Sequence, residues 1–487
     1  MKAKPIMIQG TMSNAGKSLL TAGLCRVLSN AGFSVAPFKS QNMALNSFIT
    51  KDGFEMGRAQ VVQAEASRKQ PSVLMNPILL KPTTDVGSQV IVNGKSIGNY
   101  SAVEYFKMKK TLVPDIMKAY NALASENDII VIEGAGSPAE INLKTQDIVN
   151  MGMAEMVDSP VLLVGDIDRG GVFAQLYGTV ALLEKNEQDR IKGLVINKFR
   201  GDPKILENGL DMLENLTGKP VVGVVPFAKV DIDDEDSLSE RIMPNSQIKQ
   251  LDIAVIRLPR MSNFTDFGVF ERFENLSTRY VSSTHDLKNP DLIIIPGTKS
   301  TIADLKWLRE SGFESLIAKH VWGGGALFGI CGGYQMLGVE IEDKIGVEGG
   351  GKTRGLGYLE VKTVFESEKH TVQVSGTLDS VSGIFHCLSK KEFAGYEIHN
   401  GKSTAKGNII SKGNVYGSYI HGIFDGENIA RDMLIAMAKQ KGQEIDIEHF
   451  NEAEYKDLQY EKLAKIVETS LDMDAIYKII GVEKPEK

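Results

Sequence analysis

Short runs that are apolar at every position alternate with longer amphipathic stretches, and the pattern occurs twice along the chain. In the first half the runs are "PIMIQG" at 5–10, "DIIVIEG" at 128–134, "PVLLVGD" at 160–166, "GLVINK" at 193–198 and "PVVGVVP" at 220–226. A strand that is apolar throughout, rather than at every second residue, belongs to a sheet covered on both faces. Together with the helical stretches between them, these runs predict a doubly wound parallel sheet over residues 1–227.

The polar, aromatic-poor stretch "AKVDIDDEDSLSERIMPNSQIKQ" at 228–250 predicts a solvated linker. The pattern then restarts with "LDIAVIRLP" at 251–259, "LIIIPGTKS" at 292–300 and "GALFGICGG" at 325–333, predicting a second α/β domain over 251–445. "TVQVSGTL" and "VYGSYIHG" alternate more clearly and predict an antiparallel extension of that second sheet. "GVEGGGKTRG" at 346–355 has too much glycine for regular structure; a mobile surface loop and a functional lid both fit it. Residues 446–487 read as a helical tail without a motif.

Composition narrows the picture. A chain of 487 residues is too long for one hydrophobic core, so two or three domains are expected. The net charge of -7 offers no electrostatic reason for nucleic acid or an anionic membrane as partner. Three widely spaced cysteines, Cys25, Cys331 and Cys387, form no disulfide framework and no metal-ligand spacing, which fits a reducing compartment. No stretch approaches the roughly 18 apolar residues that span a bilayer. A soluble cytoplasmic protein is expected; its oligomeric state is not legible.

Two stretches carry chemistry. "IMIQGTMSNAGKSLLTAGLCRVL" has the order strand, glycine loop, helix. Backbone N–H groups of the loop and the positive helix end converge on a phosphate, with Gly10, Thr11 and Gly16 in the loop; Lys17 adds a point charge and the Ser18 hydroxyl can hold Mg2+. Five residues separate Gly10 from Gly16, one more than in the standard phosphate loop. A Mg-nucleotide site also needs carboxylates at strand ends. Glu133 directly follows a buried-looking run and is the expected metal ligand or catalytic acid, whereas Asp166 and Asp168 fit that role and a turn role equally. Asn197 ends another run, where its amide fits an adenine edge or a plain turn, and Lys39 fits the charge of a transferring phosphate or a solvated surface position.

The other stretch is "GICGG". Gly329, Cys331 and Gly333 match a nucleophile elbow with cysteine in place of serine, a strand-to-helix turn tight enough to demand glycine neighbours. The helix start behind the sulfur favours thiolate. A thiol nucleophile needs a base, and His421 in "VYGSYIHG" is preferred over His399 in "GYEIHNG". The N–H groups of Gly332 and of Gly297, in "PGTKS", are the expected oxyanion donors.

A cysteine elbow with a later histidine resembles the class I glutamine amidotransferases, which release ammonia from glutamine through a γ-glutamyl thioester. In most of that class a glutamate two residues after the histidine orients it; here that position is Ile423, and Glu397 is the substitute in view. The N-terminal half is similar to the dethiobiotin synthetase-like ATPases, which share the five-residue loop spacing. Together, through "PFKSQNMALNS", "EMGRAQVVQAEA", "EGAGSPAEINL", "GDIDRGGVFAQ", "NKFRGD", "RLPRMSNFTDF", "IIPGTKSTIADLKWL" and "GICGGYQMLG", the halves resemble the cobyric acid synthase family. The resemblance implies ATP and Mg2+ as cofactors, and glutamine and a corrinoid, adenosylcobyrinic acid a,c-diamide, as substrates. ATP would phosphorylate corrinoid side-chain carboxylates, and ammonia made at Cys331 and passed between the domains would displace phosphate to leave amides. Gln41, Asn42 and Glu55 would face the corrinoid. Two alternatives stay open at this point: a cobyrinic acid a,c-diamide synthase, and a P-loop regulatory ATPase with a silent amidotransferase-like domain.

Overall fold

The structure is a computed structural model that describes residues 3–84, 87–233, 248–426, 428–445, 447 and 451–484. It divides into two compact units. The first comprises Met1–Met43, Met56–Ile232 and Lys456–Lys487, and the second Ala44–Glu55 and Asp233–Tyr455. Most of the expected linker lies outside the described residues.

The first unit is built on six strands in the order Val221–Pro226, Ile191–Phe199, Val161–Asp166, Lys4–Gly10, Ile129–Glu133, Val35–Phe38, every neighbouring pair parallel. The five apolar runs are therefore strands. The central ones are buried along their lengths, as helices on both faces require. The glycine loop leads into the helix Lys17–Asn30, whose Leu20, Leu24 and Leu28 enter the core.

The C-terminal stretch is helical, in Glu452–Ser470 and Met473–Ile480, and from Lys456 it belongs to this first unit. Tyr460, Leu463, Val467, Ile476 and Ile480 join the core around Leu20 and Leu24. Gly23 lets the helices approach: a Cβ there would lie 2.5 Å from Val467 Cγ2. Arg26, fully buried, is held by Asp457 and, at 2.9 Å, by Glu461. A four-stranded sheet, Gln41–Met43, Ile78–Thr84, Gly87–Val92, Lys95–Ser101, completes the unit and is not evident from the sequence pattern.

The second unit has strands in the order Leu276–Val281, Leu251–Ile256, Leu292–Ile295, Ala326–Ile330, Val415–Ser418, Ile410–Lys412. The first five are parallel and the last is antiparallel. Val415–Ser418 is thus a parallel strand, not part of an antiparallel extension. Its alternation has a local cause, because a Cβ on Gly417 would run into the ring of Tyr334 on the covering helix. "TVQVSGTL" lies in a separate sheet, Gly351–Arg354, Glu340–Asp343, Lys362–Thr377, Glu392–Ser403. The short segment Ala44–Glu55 belongs to this unit: Asn46 Oδ1 accepts from Phe264 N–H at 3.2 Å, Ser47 O accepts from the Tyr396 hydroxyl at 2.9 Å, and Ile49 packs with Tyr396 and Ile398. Among the described residues no helix is long and apolar enough to cross a membrane.

Candidate functional site

In the first unit Gly10 ends a central strand and Gly16, at φ 93°, precedes the helix Lys17–Asn30. Thr11 N–H donates to Val164 O at 2.9 Å and its hydroxyl to Gln175 Oε1 at 3.1 Å, which fixes the start of the loop. Lys17 folds back over the loop, donating to the carbonyls of Met12 at 3.0 Å and Gly136 at 3.1 Å. A Cβ on Gly10 would lie 3.1 Å from that side chain, so the glycine leaves the lysine its place. Asn197, considered for an adenine edge, uses its amide nitrogen on Ala15 O at 2.9 Å and holds the loop from beneath.

Glu133 gathers the cluster. It ends the strand Ile129–Glu133, is 1 % exposed, and accepts from Ser18 Oγ at 2.7 Å, Lys39 Nζ at 3.0 Å and Gln63 Nε2 at 2.5 Å. A buried carboxylate is tolerated when cations and hydrogen bonds surround it. Lys39 is itself buried, which removes the solvated-surface reading. Asp166 takes a different part: it accepts from Lys198 Nζ at 2.8 Å, and the same ammonium donates to Asn14 O at 2.6 Å, so Asp166 fastens the far side of the loop. Asp168 pairs with Arg200 at 2.7 Å on the surface.

Of the three residues assigned to a corrinoid, Gln41 and Asn42 lie on a strand of the first unit and Glu55 belongs to the second. Gln41 Oε1 accepts from the Tyr105 hydroxyl at 2.6 Å, and Asn42 Nδ2 donates to Gln60 Oε1 at 3.1 Å. Glu55 is buried in an ion pair with Lys369 at 2.6 Å.

In the second unit the strand Ala326–Ile330 delivers Cys331 at φ 50° and ψ −107°, strained for a residue with a Cβ, and the helix Gly332–Leu337 begins at once. The flanking glycines are steric necessities. A Cβ on Gly329 would lie 2.7 Å from the Gly333 carbonyl, one on Gly332 2.8 Å from Thr298 Cγ2, and one on Gly333 would run into the Ile295 carbonyl oxygen. The Cys331 sulfur lies 3.6 Å from Ile398 O.

His421 follows the adjacent strand and is buried, its main chain paired in both directions with Tyr396 and its ring stacked on the Tyr396 ring at 5.4 Å. It lies close enough to the Cys331 side chain for that group to help raise its pKa. Its Nδ1 lies 2.7 Å from Asp266 Oδ2, while Asp266 Oδ1 accepts from Gly422 N–H at 3.0 Å. Burial works against a charged ring, but the Asp266 carboxylate and the Cys331 sulfur outweigh it and carry the His421 pKa up to about 10. Gly297 lines the same pocket, since a Cβ there would lie 3.1 Å from His421 Cε1.

The structure thus supplies an orienting acid where Ile423 leaves a gap. Sequence reasoning missed it, although Asp266 stands in the quoted "RLPRMSNFTDF"; the available signal was a carboxylate set among Phe264, Phe267 and Phe270. Glu397 serves elsewhere, 3.2 Å from His399 Nε2, and His399 Nδ1 is 2.7 Å from Gly401 O, so both ring nitrogens of the competing histidine are engaged.

The glycine-rich stretch 346–355 is fastened. Asp343 accepts from the N–H groups of Val347, Glu348 and Gly350 at 3.0, 2.8 and 2.9 Å, and Gly351–Arg354 is a strand, contrary to the expectation of no regular structure. Glu348 Oε2 accepts from Thr301 N–H at 2.6 Å, and the Thr301 hydroxyl donates to Gln335 on the elbow helix at 3.1 Å. Burial pushes the Glu348 carboxyl up to about 7 against the opposing pull of Lys299 and Thr301.

Comparison with known proteins matches both units. Residues 6–238 match the CobQ/CobB/MinD/ParA nucleotide binding domain and residues 252–429 the CobB/CobQ-like glutamine amidotransferase domain. The chain is 58 % identical to the cobyric acid synthase of Ruminiclostridium cellulolyticum, covering 99 % of this chain and 98 % of the relative. It is 59 % identical to that of Lachnoclostridium phytofermentans, over 98 % and 99 %. With the enzyme of Alkaliphilus metalliredigens identity is 51 %, over 98 % and 100 %.

Proposed function

The chain belongs to the cobyric acid synthase family, which makes it an amide-forming enzyme of cobalamin biosynthesis, and from that premise we propose how its residues divide the reaction. The first unit binds a nucleotide, ATP in this reading, and phosphorylates side-chain carboxylates of adenosylcobyrinic acid a,c-diamide. The second releases ammonia from glutamine. Ammonia then attacks each acyl phosphate, the C–O bond to phosphate breaks, and an amide and inorganic phosphate remain. A carboxylate alone is a poor acyl donor at neutral pH, so the phosphate supplies the missing leaving group.

The single observation that carries this reading is the line Cys331, His421, Asp266. With the pair's proton held on His421, the Cys331 sulfur attacks the glutamine side-chain carbonyl. The N–H groups of Gly332 and Gly297 receive the oxyanion, and His421 gives its proton to the departing nitrogen, leaving a γ-glutamyl thioester and ammonia. His421 then takes a proton from water, which hydrolyses the thioester to glutamate and restores the thiol. Asp266 keeps the ring in the tautomer that presents Nε2 to sulfur and stabilises the imidazolium.

In the first unit Lys17 balances phosphate charge at the loop, and Lys39 is poised for the transferring phosphoryl group. Thr11 and Asn197 act through the loop, keeping its N–H groups in place. Ser18 Oγ and Glu133 Oε1, hard oxygen donors 2.7 Å apart, fit Mg2+, which when bound supplies charge neutralisation to the nucleotide phosphates. Gln41, Asn42 and Glu55 stay assigned to the corrinoid side through the resemblance, with Glu55 acting through its pair with Lys369.

Mass spectrometry of the corrinoid after incubation with Mg-ATP, glutamine and adenosylcobyrinic acid a,c-diamide tests the assignment. Stepwise amidation to cobyric acid is expected. Amidation of cobyrinic acid at two positions, with the diamide untouched, would overturn it.

A further inference from the structure

We propose that the second unit carries a binding site for a divalent transition metal of the Zn2+ class, formed by His370, Glu397 and His399 on the hairpin Lys362–Thr377 and Glu392–Ser403. The placement follows from strand geometry. Glu397 and His399 are two residues apart on one strand and so share a face, and His370 is directly opposite His399 on its antiparallel partner. The three side chains offer one ligand atom each within 4.8 Å of one another.

Three observations point to a metal rather than to a surface ion pair. First, His399 Nδ1 lies 2.7 Å from Gly401 O, a contact that fixes the ring and turns Nε2 toward Glu397. Metal-bound histidines are commonly oriented by such a bond from the other ring nitrogen to a backbone carbonyl. Second, that Nε2 points at Glu397 Oε2 from 3.2 Å, and His370 Nε2 points at the same oxygen from 3.5 Å. A single cation among the three would be shared by all of them. Ligands about 2.0 Å from a tetrahedral Zn2+ stand about 3.3 Å apart, close to both separations. Third, the Tyr419 ring stacks on His399 at a centroid distance of 3.7 Å and holds the imidazole in this direction.

Two imidazoles and one carboxylate suit Zn2+ and its neighbours and disfavour Ca2+ and Mg2+, which take oxygen donors. A water or another small ligand would fill the fourth position. The site is separate from the elbow, although Ile398, between two of its ligands, offers the carbonyl 3.6 Å from the Cys331 sulfur.

The test is calorimetric titration of the untagged, chelator-treated full chain with Zn2+ alone, repeated on Cys331→Ala, His370→Ala and Glu397→Gln. One Zn2+ per chain is expected in the parent and in Cys331→Ala, with affinity reduced at least about tenfold in the other two. His370 is exposed, so its variant should fold, as circular dichroism would verify. Co2+ in the parent should give d–d absorption without a thiolate charge-transfer band. Absence of stoichiometric binding, binding unchanged by His370→Ala, or binding lost with Cys331→Ala would each overturn the proposal.

Discussion

Asp266 Oδ2 stands 2.7 Å from His421 Nδ1, although 155 positions of sequence separate the two residues. The acid that orients the histidine of this amidotransferase unit comes from the 3-10 segment Phe264–Arg272, not from the position two residues after the histidine.

Asp266→Asn should therefore lower the rate of glutamine hydrolysis by about 10² or more, because His421 loses both its orientation and the charge that stabilises its imidazolium. Glutaminase assay with the variant checks this, and a near-normal rate would mean that His421 is oriented by another group.

The same substitution has a sign in stability. The folded-state pKa of His421 is raised to about 10, so its contribution is fully present below its unfolded value of about 6.5 and is lost as pH rises through 10. The stability advantage of the parent over Asp266→Asn should accordingly shrink between pH 6.5 and 10. Denaturant melts at several pH values measure it; an advantage that grew with pH would contradict the assignment.

Cys331→Ala removes the sulfur but no group of the phosphate loop. Synthesis with glutamine should disappear, while synthesis with added ammonium should persist. Loss of both activities would show that the two half-reactions are not separable in this way.

Lys17→Ala should abolish amide formation with either nitrogen source, since no acyl phosphate forms without the charge at the loop. An unchanged rate with ammonium would remove Lys17 from the phosphate site.

Gly333→Ala forces a methyl group against the Ile295 carbonyl. The elbow must shift, at a cost of about 1–3 kcal/mol in stability. Thermal melts read the loss, and a melting temperature equal to the parent's would mean that the turn accommodates a methyl group.

Both parallel sheets were legible in the sequence, because strands buried on two faces leave unbroken apolar runs such as "IIVI" and "LIII". The elbow was legible too, since Gly329 and Gly333 are forced by contacts within a few residues of Cys331 and by one neighbouring strand. Asp266 was not, because its partner is chosen by tertiary packing and nothing in the spacing of "NFTDF" points to His421. The C-terminal helices show the same limit: Leu463 and Val467 announce an apolar face, but that the face meets Gly23 depends on the fold. The strand Val415–Ser418 was misread in direction because a glycine needed by Tyr334 imitates the alternation of a half-exposed strand.

The most direct test of the account follows the nitrogen. The protein is incubated with Mg-ATP, adenosylcobyrinic acid a,c-diamide and glutamine labelled with 15N at the side-chain amide, in unlabelled ammonium, and the corrinoid is weighed. Each new amide is expected to carry the label, and the label should vanish from the product of Cys331→Ala while amidation by ammonium continues. Unlabelled amides from the parent enzyme would contradict the claim that Cys331 supplies the ammonia.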